Sequence, residues 1–129
     1  MAPITELLEV LSRTAEKNCN LDSKVSLKEL SPGNSLYAEA GESSAEDVYY
    51  DKSQVLAVPV LFLCRHKSQQ RALEQLETIC NYFQRLKEYP SGETFSWMDT
   101  EITKHPSKIL RDEDGMYHYS CILRCRIFY

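Results

Sequence analysis

Apolar residues recur along this chain at two different spacings, and the changes of spacing divide it into elements. Ile4, Leu7, Leu8 and Leu11 follow the helical repeat and share one face. Pro3 suits the first turn, where its missing N–H would have no partner anyway. The pattern predicts a helix from about Pro3 to Lys17, ended by the turn-formers Asn18 to Asp22. From Lys24 to Lys28 the spacing becomes two: Val25 and Leu27 face one way, and Lys24, Ser26 and Lys28 the other. That is a short half-buried strand running on toward Leu30. Ser31-Pro32-Gly33-Asn34 is a turn signal, and a strand over Ser35–Ala38 would complete a hairpin.

The next segment is polar and acidic. Glu39, Glu42, Glu46 and Asp47 surround the small residues Gly41 to Ala45, so residues 39–51 read as a mobile acidic loop. Tyr49 and Tyr50 lie at its end. Adjacent side chains of an extended chain point to opposite faces, so at least one ring should be exposed or at an interface.

Gln54 to Arg65 is the most apolar stretch, β-branched and aromatic, and predicts a strand buried on both faces. Pro59 cannot donate to a ladder and marks a bulge or an unpaired side. After a turn at His66–Ser68, Leu73, Leu76, Ile79, Cys80, Phe83 and Leu86 return to helical spacing. They predict the main helix from Ser68 to Glu88, stopped by Pro90-Ser91-Gly92. Thr94–His105 alternates as a strand that Pro106 should end. Asp112-Glu113-Asp114-Gly115 is a tight turn, and Tyr117–Tyr129 a long final strand. This order predicts an α+β fold: a mostly antiparallel sheet with a βαββ core, the long helix and the N-terminal helix packed on one face.

The 129 residues fit a single domain spanning 1–129, long enough to fold without metal or disulfide. A net charge of −4 argues against direct nucleic-acid binding, which depends on cations neutralising phosphates. No basic region precedes an apolar one at the N-terminus, and the apolar run Val55–Cys64 is too short to cross a bilayer, so no membrane association is expected and the chain should be made in the cytoplasm. Five cysteines cannot all pair within one chain, and Cys64, Cys121 and Cys125 sit in apolar runs. They read as buried thiols in a reducing compartment.

Candidate chemistry is sparse. No glycine-rich phosphate loop and no nucleophile elbow is present. Cys121 and Cys125 lie roughly 13 Å apart on one strand face, too far for one zinc ion, and His118 faces the other way. Cys64 and His66 have the spacing of a thiol–imidazole pair, but lack an orienting third group, and the apolar context implies an unreactive thiol. Asp112, Glu113 and Asp114 lack the ligand alternation of a calcium loop. Asp99 and Glu101 share a strand face and read as surface carboxylates. Arg65, His66, Lys67 and Arg71 crowd the start of the main helix, an unfavourable place for cations; a solvated rim is favoured over a partner site. Tyr49, Tyr50, Trp97 and the terminal Ile127-Phe128-Tyr129 are divided between core and interface. No catalytic residue, metal site or cofactor is expected.

The stretch Gln70…Ala72-Leu73…Leu76…Ile79, Pro90-Ser91-Gly92, Phe95-Ser96-Trp97…Glu101-Ile102…Pro106, Asp112-Glu113-Asp114-Gly115…Tyr117…Tyr119 and Arg126-Ile127-Phe128 resembles phage minor capsid proteins of Gram-positive phages and prophages, similar in layout to tail terminators. The resemblance covers about residues 55–129. It implies a structural subunit, not an enzyme, that forms a ring, commonly a hexamer, and docks on other phage head or tail proteins at the head–tail junction. The segment Lys24–Asp51 is longer and more acidic than that pattern. Within it Glu46, Asp47, Tyr49 and Tyr50 are the candidate interface residues. A small ferredoxin-like ligand-binding module is the alternative.

Overall fold

The computed structural model describes residues 2–30 and 33–129. Ser31 and Pro32 of the expected turn lie outside the described residues. Two helices and six strands follow in the order α1 (Pro3–Asn18), β1 (Val25–Ser26), β2 (Ser35–Ala40), β3 (Ser44–Val48), β4 (Gln54–His66), α2 (Gln69–Arg85), β5 (Ser96–Arg111) and β6 (Tyr117–Phe128). The sheet is mixed but mostly antiparallel, in the order β1-β2-β4-β6-β5, with β3 also on β4. The fold is α+β, with α2 crossing from β4 to β5 and β6 inserted between them.

The centre of the sheet is the antiparallel pair β4–β6, in unbroken register from Val55↔Phe128 to His66↔Tyr117. On one face Val58, Val60, Phe62 and Cys64 stand opposite Cys125, Leu123, Cys121 and Tyr119, and all eight are buried. The two helices cover this face. From α1 come Leu7, Val10, Leu11 and Ala15, and from α2 Ala72, Leu76, Ile79, Cys80 and Phe83. β4 is thus closed on one face and half-covered on the other, where Leu61 and Leu63 keep partial exposure; only at Val55–Ala57 are both faces buried. The apolar run therefore overstated its burial, because alternate residues meet a face without helices.

Several boundaries differ from expectation for identifiable reasons. The segment read as an acidic loop at 39–51 contains β3, and β2 already reaches Ala40. β2 and β3 run in the same direction along one edge of β4 and are separated by residues 41–43. They behave as one interrupted strand whose solvent-facing composition hid it. The interruption sits at Pro59. Its carbonyl accepts a hydrogen bond from Gly41 N–H at 2.7 Å, so its nitrogen also faces the gap, where no ladder donor is needed. A Cβ on Gly41 would come within 3.2 Å of the proline ring.

β1 does not form a hairpin with β2; it pairs in parallel, through Val25↔Leu36 and Ser26↔Tyr37. The strand is only two residues long because the Ser26 hydroxyl accepts from the N–H groups of Lys28 and Glu29 and curls the chain. β5 does not stop at Pro106 but continues to Arg111. Proline is tolerated because β5 is an edge strand and its register shifts between Lys104 and Ser107.

α2 is capped by Ser68, whose hydroxyl accepts from Arg71 N–H. It ends at Arg85, three residues short of the expected Glu88. The Tyr89 hydroxyl donates to the Phe83 carbonyl at 2.5 Å, satisfying an end group that another turn would otherwise have used. Tyr89 and Phe83 both pack on Trp97, with ring centroids 5.0 and 5.4 Å away, and fix the end of α2 against β5.

Between β3 and β4 the chain reverses at Tyr49–Ser53. Tyr49 N–H donates to Ser53 O, and Lys52 N–H to Tyr49 O. Lys52 occupies the left-handed region at φ 73°. A side chain there is strained, so Lys52→Gly should stabilise the protein by about 0.5–1 kcal/mol, read as a higher urea midpoint. Leu123, fully buried in the centre of the sheet, should cost about 3 kcal/mol when changed to Ala, with the same denaturation as the measure.

Candidate functional site

Cys64, His66 and Asp99 are each engaged within the fold. His66 lies on the helical face of β4, at its C-terminal end. Its Nδ1 accepts from Ser68 N–H at 2.9 Å, and Nε2 meets Asp22 Oδ2 at 2.8 Å. Neither ring nitrogen is directed to Cys64. The Cys64 thiol is buried, accepts from the Gln75 amide at 3.8 Å, and burial pushes its pKa up to about 12. The thiol–imidazole pair does not form. Burial likewise raises Cys125 to about 12 and Cys19 to about 11. All five cysteines are free and buried.

The guanidinium groups at the start of α2 are bound within the chain. Arg71 reaches Asp22 and the Asn20 carbonyl, and ties the segment after α1 to α2. Arg65 donates to Asp112 at 2.9 Å, to Asp114 and to the Gly33 carbonyl. Lys67 N–H donates to the Asn34 side chain. Within this cluster Lys67 is exposed, as a solvated rim would have it, whereas the Arg65 and Arg71 guanidinium groups close loops.

Asp112 is the acceptor of the β5–β6 turn. It receives His118 Nε2 at 2.8 Å, Arg65, and the N–H groups of Asp114 and Met116. His118 first, then Met116 N–H and Arg65 against an opposing effect of burial, hold its carboxyl well below the usual range. Among the described residues no cluster of three or more His, Cys, Asp or Glu is placed to hold a metal ion.

On the helix-free face a second ion network joins three strands. Glu46 pairs with Arg124 and with Arg126 Nε at 2.8 Å, and Arg126 also meets Asp99. The register shift between Ala45 and Asp47 makes Glu46 the extra residue of β3. Burial opposes ionisation of Glu46, but the two arginines outweigh it and lower its pKa. Glu46 is therefore a fastener between β3 and β6. Asp99 belongs to the same network, and Glu101 stands opposite Arg124.

The remaining candidates come together at one end of the sheet. The β3–β4 turn carries Val48, Tyr49 and Tyr50, with 65%, 49% and 107% of their surface exposed. The Tyr49 ring meets Phe128 edge-on, at 6.0 Å between centroids, and Phe128 is itself 38% exposed. Asp47 on β3 is exposed as well. Asp51 braces the turn by accepting from Ser53 N–H at 3.1 Å and from its hydroxyl. Trp97 and Ile127 went to the core, whereas Tyr49, Tyr50 and Phe128 form an apolar surface. Val48 was missed, because its neighbours Glu46 and Asp47 made the segment read as a polar loop.

The chain matches the bacteriophage tail terminator protein family over residues 25–128, from β1 to the end of β6. It belongs to that family. Bacteriophage tail terminator proteins are structural components of the phage tail, and the resemblance noted over residues 55–129 extends through β1–β3. No curated protein matches the chain. Among the described residues, no helix of this tail terminator is long and apolar enough to cross a membrane.

Asp112, Asp22, Glu6, Glu46 and Asp51 all have lowered carboxyl pKa values in the fold. Their contribution is complete above the unfolded carboxylate range, near pH 4, and is lost as pH falls through the lower folded values. The melting temperature should hold between about pH 7 and about pH 5 and drop below about pH 4. Asp112→Asn should melt lower at neutral pH and show a shallower acid decline.

Proposed function

We propose that this tail terminator acts at the head–tail junction as a ring of identical copies, commonly six, that docks on neighbouring head or tail proteins. The turn Val48–Tyr50 with Phe128 supports this reading and carries it. These apolar side chains are concentrated on a tip braced by Asp51 and by the Tyr49–Ser53 backbone hydrogen bonds. An exposed aromatic cluster on a firm support is what an interface needs: large contact area at small entropic cost. A ring uses heterologous contacts, in which one patch meets a different patch on the next copy. Tyr49, Tyr50 and Asp47 form one such patch. Glu46 lies beneath it and acts by holding β3 to β6.

The prediction follows from Tyr50, which has no contact to lose within its own chain comparable with what an interface would give. Tyr50→Ser should leave the melting temperature within a few degrees of the parent. Association, measured by light scattering across a concentration series, should weaken roughly tenfold or more, as loss of an interface aromatic does. Unchanged association would remove the turn from the interface.

A further inference from the structure

We infer that the groove between α1 and α2 receives the Tyr49–Tyr50 turn of a second copy of this chain. The inference rests on the ring reading and specifies its contact. The groove has a volume of about 590 Å³, within the size of cavities that accept side chains or small ligands. Val10 and the partly exposed Tyr82, Leu86 and Tyr89 line it, with Arg13 and Lys17 exposed along the α1 side. Glu88 is the one carboxylate among its lining residues, and Arg85 continues the surface beyond Tyr82 and Leu86.

The turn has the opposite character. Its apolar group is Val48, Tyr49 and Tyr50, and the charges beside it are the carboxylates of Asp47 and Asp51 and the ammonium of Lys52. Aromatic rings flanked by carboxylates fit an aromatic-floored groove edged by cations, and such complementarity selects partner and register.

Placement excludes the contact within one copy. Phe128, on which Tyr49 packs, alternates with the fully buried Ile127, so it points to the helix-free face. The groove lies in the helical layer on the other side of the sheet. Turn and groove thus face away from each other, and one copy offers its turn while presenting its groove to another. That is the head-to-tail relation from which closed rings are built.

The test places a benzophenone amino acid at position 50 of the full chain. The concentrated protein is irradiated and the cross-linked peptides are identified by mass spectrometry. Cross-links from position 50 to residues 82–89 or 10–17 of another copy are expected. Cross-links between copies that map elsewhere would leave self-association standing and overturn this pairing. Absence of any cross-link between copies would overturn the pairing together with the ring reading. A second variant, R13E/K17E, changes exposed positions only. It should melt like the parent and lower the cross-link yield by roughly tenfold, through like charges brought together across the interface. Adding D47K to that variant should recover part of the yield. A yield unaffected by R13E/K17E would also overturn the proposal.

Discussion

The pairing of β4 with β6 is the constraint on which the rest depends. Twelve residue pairs in one register leave alternate side chains no choice of face. A slip of one residue would turn Cys121, Leu123 and Cys125 of β6 away from the core while Val60 and Phe62 of β4 stayed in it. Every other element is placed relative to this pair: β5 on one side, the interrupted β2–β3 strand on the other, and α2 laid across the buried face. The buried cysteines belong to this arrangement. Cys64 and Cys121 are small enough to sit on the sheet beneath Gln75 and Cys80 of α2, where a larger side chain would lift the helix.

The charged residues repeat one theme. Asp112, Asp22 and Glu46 each collect donors from segments far apart in sequence, joining β4 to the β5–β6 turn, α1's exit to α2, and β3 to β6. Groups that suggest acid–base or thiol chemistry when taken singly are used as fasteners. The polar atoms of this tail terminator are largely occupied in keeping a thin, one-sided sheet attached to its loops. Tyr50 at the β3–β4 turn is the most exposed of its large apolar side chains among the described residues.

Much of the architecture was legible from spacing alone. The helices α1 and α2, the strands β4 and β6, and the Asp112–Gly115 turn follow from periodicity and turn chemistry, which are local. What was missed depends on partners. β3 carries Ser44, Glu46 and Asp47 and has no buried face, so nothing in its own composition marks it as a strand; β4 and the two arginines of β6 make it one. β5 passes through Pro106 because nothing pairs beyond it, and an edge is a property of the sheet. β1 pairs with β2 in parallel, a relation between two strands that no short window contains. Within the candidate surface, Tyr49 and Tyr50 were recognisable as an adjacent aromatic pair. Glu46 was not recognisable as their foundation, since its arginines lie almost eighty positions away.

The proline in β5 has a consequence beyond its own strand. An open edge strand is a template for open-ended stacking, strand against strand. The outer rim of β5 interrupts its row of backbone donors at Pro106 and shifts its register four times along its length. On the opposite side the two-residue β1 covers part of β2, and β3 is a short strand set off from β2 by the gap at Gly41. Neither rim offers a long flat template. Growth by sheet extension is disfavoured on both flanks, so any contact with a partner is left to side chains rather than to backbone ladders.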